Sequence, residues 1–125
     1  IVRNPYNRMI SDLFWYNLIT SSFSQEKIYN VMRSYIDRDY YDNHNIPQYK
    51  FITDDNENII NNIIIFRTHN LTKQLHLYGF KDYKGPPLKQ DKNKYYKFLN
   101  RDSIALINEF YKKDFELFNF PMIRL

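Results

Sequence analysis

The sequence predicts an α/β domain that is rich in helix and holds a few parallel strands. Residues 59–67 contain the uninterrupted apolar run 63–66, which is typical of a strand covered on both faces, as in a parallel sheet. Residues 1–3 resemble the end of a second strand. Pro5 follows directly and suits the first turn of a helix. The two strands are therefore predicted to lie side by side and parallel.

Helical spacing of apolar residues predicts four helices. The first covers residues 6–20, and the second begins after Ser24, a good N-cap residue. The third ends before Gly79, which suits the position just past a helix. The last is capped by Asp102 or Ser103. These four helices give the predicted domain more helix than strand.

The segments between the helices are predicted from their turn-forming and polar residues. Residues 37–49 are polar and predict a loop, residues 49–53 a short strand, and residues 54–58 a turn. Residues 81–97 form a basic loop. Neither an internal repeat nor a linker is visible, so the chain is predicted to be one domain or part of one.

Composition restricts the classes of function. The net charge of +4 favours anionic partners such as nucleic acid, phosphorylated cofactors or sulfated glycans, although abundant Ile, Asn, Lys and Tyr also fit a compositional bias of the genome. The absence of cysteine excludes disulfides and thiolate metal sites and fits a reducing compartment such as the cytoplasm. No signal peptide or membrane-spanning segment is visible in the sequence.

The segment that follows the first strand combines the features of an anion site. A helix N-terminus offers unpaired N–H groups and the positive end of the helix dipole. Arg3 adds a planar guanidinium suited to phosphate oxygens, and Ser11, about two turns into the helix, adds a hydroxyl donor. Arg8 could reach the same anion or be a solvated helix residue. The alternative for Arg3 and Ser11 is an ordinary capped helix with a surface arginine.

Residues 2–12 resemble the VRNPxxRxxSxY form of carbohydrate-type sulfotransferases that use 3′-phosphoadenosine 5′-phosphosulfate. In that family an Arg at the end of a central strand and a Ser eight residues later bind the 3′-phosphate of the donor. Arg3 and Ser11 have this spacing. Three further landmarks follow in the family's order: residues 42–48 are similar to DNHxxPQ, residues 64–71 to a strand running into RxENL, and residues 111–118 to YxxDFxxF.

The resemblance implies a partial P-loop-like sulfotransferase fold, of which residues 1–125 form the C-terminal portion. It implies sulfuryl transfer from 3′-phosphoadenosine 5′-phosphosulfate to a hydroxyl-bearing acceptor, a carbohydrate, without a metal or a nucleic-acid partner. The family's 5′-phosphosulfate loop and catalytic base precede the strand that ends at Arg3. No catalytic residue is therefore predicted in this chain, and the chain alone is expected to be inactive. His69 stands where the family usually has an acid, which leaves that role open.

Several alternatives stay open beside this interpretation. His44 could line the acceptor side of the cleft or be a hydrogen-bonded loop histidine. The basic loop 81–97 mixes cations and tyrosines as nucleic-acid binders do, and in the resembled family a basic loop near this place often closes over the donor. Segment 37–39 resembles the Asp pair of glycosyltransferases without their surrounding fold. The rival function is a non-catalytic basic module that binds nucleic acid or a protein.

Overall fold

The structure, a computed structural model, describes residues 1–38, 41–85 and 94–125. Within these ranges the chain forms five α-helices joined by loops and short 3-10 helices. The α-helices are α1 (Pro5–Trp15), α2 (Gln25–Ile36), α3 (Leu71–Leu77), α4 (Arg101–Phe110) and α5 (Lys112–Phe118). The 3-10 helices are Gln48–Phe51, Thr68–Asn70 and Tyr96–Phe98.

The predicted α/β class with parallel strands is wrong, because the described ranges contain no β-sheet. Residues 1–3 and 59–67 meet only at an isolated parallel bridge between Val2 and Arg67. The Val2 N–H donates to the Phe66 carbonyl at 2.7 Å, and the Thr68 N–H donates to the Val2 carbonyl at 3.0 Å. Two backbone hydrogen bonds and one from the Thr68 hydroxyl to the Val2 carbonyl join the segments locally, but they do not make a ladder.

The apolar run 63–66 that suggested a buried strand lies partly at the surface, although Ile65 packs half-buried against the core. Ile64 is 54% exposed, and Ile59, Ile60 and Ile63 are exposed as well. Asn62 has a φ of 64°, a left-handed conformation that interrupts an extended chain. The prediction failed because an apolar run alone does not show what covers it.

Residues 49–53 were also predicted as a strand, and this prediction is wrong. They belong largely to the 3-10 helix Gln48–Phe51. The turn predicted at residues 54–58 is confirmed: the Asp54 N–H donates to the Asn58 carbonyl at 2.9 Å, and the Asp54 carboxylate accepts from Asn56 and Asn58. Thr53 and Ile59 form a single antiparallel bridge across it.

The core lies where α1 packs against α2 and α4, with α5 beside α4. Aromatic rings fill much of it: the Tyr6 and Phe115 centroids lie 5.1 Å apart, and those of Phe14 and Phe98 lie 5.2 Å apart. Its fully buried side chains include Tyr6, Met9, Ile10, Leu13, Ile28, Met32, Tyr35, Ile107, Tyr111 and Phe118. No helix in the described ranges is long and apolar enough to cross a lipid bilayer.

The helix ends show which cap residues were predicted correctly. Ser24 caps α2 by accepting from the Lys27 N–H at 3.1 Å, as predicted. The cap of α4 is Asn100, whose side chain accepts from Ser103 N–H at 2.9 Å, rather than Asp102 or Ser103. Several good cap residues stand close together there, and only the geometry distinguishes them.

Left-handed backbone positions end three of the described helices, and one of them is Asn119, which follows α5 with a φ of 56°. Gly79 follows α3 with a φ of 95°, as predicted. The first helix ends at Trp15 rather than at residue 20, because Asn17 takes a φ of 57°. A chain with only two glycines places Asn or Asp at most such positions, and these residues tolerate the left-handed region better than other side chains.

Candidate anion-binding site

Arg3 lies between the bridge at Val2 and the start of α1. Its backbone is held by the side chain of Gln48: the Arg3 N–H donates to Gln48 Oε1 at 2.9 Å, and Gln48 Nε2 donates to the Arg3 carbonyl at 2.8 Å. The half-buried guanidinium lies over the Tyr95 ring, 5.8 Å from its centroid. None of the residues that the structure describes accepts a hydrogen bond from it. Within the described part of the chain, the donors of the Arg3 guanidinium are therefore unpaired.

The N-terminus of α1 differs from the expectation of unpaired N–H groups. The Asn4 side-chain oxygen accepts from the N–H of Tyr6 at 2.9 Å and from the N–H of Asn7 at 3.4 Å. Pro5 has no N–H, and the Arg8 N–H donates to the Asn4 carbonyl at 2.9 Å. The backbone N–H groups of the first turn are thus paired within the chain. This helix end can therefore attract an anion through the helix dipole, but not through free N–H donors.

Ser11 lies on the side of α1 that faces away from the core. At 100° per residue it points opposite to the centre of the buried stripe, with Asn7 and Trp15 one turn to either side. Ser11 is half-buried, and no described residue hydrogen-bonds to its hydroxyl. Trp15 is exposed. The carboxamide oxygen of Asn7 is buried and has no partner within the described part of the chain. This outer face of α1 therefore carries two polar groups, the Ser11 hydroxyl and the Asn7 oxygen, that have no partner among the described residues.

Arg8 is engaged elsewhere and is not brought to Arg3 by any contact. Its guanidinium donates to the carbonyls of His44 and Ile46, the latter at 2.8 Å, and lies 3.9 Å from the Asp12 carboxylate. It also stacks over the Tyr111 ring at 5.7 Å. These contacts fasten the loop before the first 3-10 helix onto α1. They use the donors that a phosphate would need, and they also show that Arg8 is not a solvated surface residue.

His44 is exposed and stands in the loop that Arg8 holds. Its backbone N–H donates to the Tyr41 carbonyl at 2.8 Å, while its ring packs edge-on to Tyr16 with centroids 5.9 Å apart. The structure thus places His44 in a hydrogen-bonded loop with its ring accessible. Its assignment to the acceptor side stays a prediction.

The basic loop 81–97 meets the site at its C-terminal end. Residues 86–93 lie outside the described residues. Lys94 Nζ lies 5.3 Å from the centroid of the Tyr95 ring, the same ring that the Arg3 guanidinium covers. Tyr96 packs edge-on to Tyr6 at 6.0 Å, which fixes this end of the loop to α1. Two cations are therefore gathered around one tyrosine. The mixture of lysines and tyrosines in the sequence was the only signal for this proximity.

The other polar clusters of the sequence lie apart from this arrangement. His76 pairs through Nε2 with the Tyr83 carbonyl at 2.9 Å, and His69 lies in the 3-10 helix before α3. Asp39, in the segment similar to the glycosyltransferase Asp pair, lies outside the described residues. Over residues 1–38, 41–85 and 94–125, no three His, Cys, Asp or Glu side chains come together as metal ligands would.

Asp12 links α1 to α2 and carries a perturbed pKa. The Tyr35 hydroxyl donates to its carboxylate at 3.2 Å. Burial raises the pKa of Asp12 above its ordinary value of 3.8, and the Arg8 charge and the Tyr35 hydrogen bond lower it in part. An acid with a raised pKa holds its proton more tightly in the folded state. Its contribution to stability is therefore complete below the ordinary pKa and is lost as the pH rises through the folded-state value.

Asp12→Asn should reveal this pH dependence. Because asparagine does not titrate, the stability of the wild-type chain relative to the variant should fall as the pH rises above 3.8 and level off once Asp12 is ionised in the folded state. Urea denaturation of both proteins from about pH 3 to about pH 7 measures the difference. A flat difference, or one that grows in favour of the wild type with rising pH, would contradict the prediction.

No family model, curated protein or solved structure matches this chain. The sulfotransferase resemblance therefore depends on the quoted segments, and its functional content is a proposal.

Proposed function

We propose that this chain binds the 3′-phosphate of 3′-phosphoadenosine 5′-phosphosulfate and belongs to a sulfotransferase that acts on carbohydrate hydroxyls. The observation that carries the proposal is the state of Arg3. Its guanidinium is half-buried, has no hydrogen-bond partner among the described residues, and lies against the same tyrosine ring as Lys94. Two cations against one ring, in the chain segment that leads into the N-terminus of α1 in the case of Arg3, suit a dianionic phosphate.

The three candidate phosphate ligands also differ in whether their side-chain donors are already used in hydrogen bonds. Arg3 and Ser11 keep their donors free within the described part of the chain, whereas the guanidinium of Arg8 is committed to two carbonyls. In sulfuryl transfer, the S–O bond to the donor phosphate breaks as the acceptor oxygen attacks sulfur. Groups that hold the 3′-phosphate contribute by aligning the donor for this displacement, without covalent chemistry. Arg3 is thus assigned the main phosphate contact and Lys94 a secondary one. Ser11 is assigned as a secondary contact by the resemblance to the family, since no contact among the described residues brings it to Arg3.

A calorimetric titration of the chain with two nucleotides tests the proposal. 3′-Phosphoadenosine 5′-phosphate and adenosine 5′-phosphate differ only in the 3′-phosphate, and the first is expected to bind more tightly. Equal binding would overturn the proposal. If the two nucleotides bound equally and a single-stranded oligonucleotide bound tightly and with strong salt dependence, a basic nucleic-acid-binding module would be the better interpretation.

Ser11→Ala is expected to weaken binding of the 3′-phosphorylated nucleotide by roughly twofold to tenfold, because a neutral hydrogen bond contributes about 0.5–1.5 kcal/mol. Binding of adenosine 5′-phosphate should not change. Ser34→Ala is the matched control, since Ser34 is an exposed serine on α2. A Ser11→Ala protein with unchanged affinity for both nucleotides would remove Ser11 from the site.

A further inference from the structure

We propose that Gln48 and Asp114 are positioning residues for the anion site, forming a buried relay that fixes the backbone of Arg3 and hence the direction of its guanidinium. The inference rests on the proposed function, because it concerns the same phosphate contact. It concerns residues that do not themselves touch the ligand.

The first step of the relay is the two-point contact between Gln48 and Arg3. The Gln48 carboxamide accepts from the Arg3 N–H at 2.9 Å and donates to the Arg3 carbonyl at 2.8 Å. The Gln48 side chain thus satisfies both the N–H and the carbonyl of Arg3, as a neighbouring β-strand would. Gln48 is 8% exposed, so water does not readily replace these hydrogen bonds.

The second step is the contact between Asp114 and the backbone that carries Gln48. The two carboxylate oxygens of Asp114 accept from the N–H of Gln48 at 2.7 Å and from the N–H of Tyr49 at 2.8 Å. Gln48 Nε2 also lies 3.5 Å from the same carboxylate. Asp114 is completely buried on α5. The carboxylate thus holds the start of the 3-10 helix and orients the amide of Gln48.

Arg3 needs such support because it belongs to neither a helix nor a sheet. The residue before it makes a single isolated bridge, and Asn4 after it is the cap of α1. The hydrogen bonds from Gln48 are the only ones that the described residues make to the Arg3 backbone. A guanidinium recognises phosphate through a planar fork, so its affinity depends on how well its backbone is oriented.

Gln48→Met tests the relay, because methionine has a similar length and makes neither hydrogen bond. The matched control is Asn45→Leu. Asn45 is also buried and also donates to backbone, to the carbonyls of Tyr35 and Arg38, but it does not contact Arg3. Affinities for 3′-phosphoadenosine 5′-phosphate and adenosine 5′-phosphate are measured by calorimetry for each protein. The preference of the wild-type chain for the 3′-phosphate should fall by about tenfold in Gln48→Met and stay unchanged in Asn45→Leu.

Each outcome supports or overturns the inference. If Gln48→Met keeps the wild-type preference for the 3′-phosphorylated nucleotide, the relay is overturned and the proposed function stands. If Gln48→Met and Asn45→Leu lose that preference equally, the relay is also overturned, because the loss is then a general effect of lower stability. If the wild-type chain binds both nucleotides equally, the proposed function and the relay are both overturned. If Gln48→Met does not fold, Gln48→Asn keeps an amide that is too short to reach both groups of Arg3. If the Arg3 amide of Gln48→Asn exchanges hydrogen faster than in the wild type, and the preference for the 3′-phosphate falls, the relay is supported. An exchange rate equal to that of the wild type overturns it.

Discussion

Arg3→Ala is expected to weaken binding of 3′-phosphoadenosine 5′-phosphate by roughly tenfold to a hundredfold, since a hydrogen bond between charged groups contributes about 1.5–3 kcal/mol. The guanidinium makes no hydrogen bond within the described part of the chain, and its contact there is with the Tyr95 ring, so its loss should act mainly through the proposed phosphate contact. Binding of adenosine 5′-phosphate should be nearly unaffected. Calorimetric titration with both nucleotides measures the two changes.

Two further variants make this prediction specific. Arg3→Lys should recover only part of the affinity, because an ammonium cannot make the bidentate contact of a guanidinium. Arg33→Ala removes an exposed arginine on α2 that lies over the Tyr29 ring, and it should leave both affinities unchanged. If Arg3→Ala weakened both nucleotides equally, Arg3 would not recognise the 3′-phosphate, and the main residue assignment would be wrong.

Asp114→Ala is expected to lower the free energy of unfolding by about 2–5 kcal/mol, because it leaves two buried N–H groups without their acceptor. These are the N–H groups of Gln48 and Tyr49. The free energy of unfolding of a domain is typically about 5–15 kcal/mol, so this is a large part of the total. Urea denaturation at neutral pH measures the loss.

Glu116→Ala is the matched control for this prediction. Glu116 is an acid on the same helix, α5, but its side chain is exposed. Its replacement should change the stability by no more than about 0.5 kcal/mol. If Asp114→Ala lost less than about 1 kcal/mol, the carboxylate would not be the main support of the 3-10 helix that starts at Gln48.

The helices could be predicted from the sequence because their signals are local. Ser24 precedes an apolar pattern of helical period, and Gly79 follows another, and both have the predicted roles. That the described ranges hold no β-sheet could not be predicted in this way. Residues 59–67 have the composition of a buried strand, but burial depends on what the rest of the chain brings to them. Here the described residues leave Ile64 largely exposed.

The sequence indicated residues that could bind an anion, but it did not indicate their contacts. Arg3 and Ser11 make no side-chain hydrogen bond with the described residues, so their role in an anion site stays a prediction. The capping of α1 by Asn4 and the use of Arg8 against the His44 loop were not foreseen. Gln48 and Asp114 both stood in segments quoted for the resemblance, but nothing local to either residue shows that they contact each other. Contacts between distant segments are set by packing, which periodicity does not describe.

The support of Arg3 has a consequence for the order of events in folding. Arg3 and Gln48 are separated by 45 positions, and Gln48 and Asp114 by 66. Contacts across such separations require large loops to close, which costs more chain entropy than forming one helix. The hydrogen bonds that hold the Arg3 backbone are therefore expected to form late, after the individual helices. A partly folded chain would then carry the proposed phosphate ligand before its backbone is fixed.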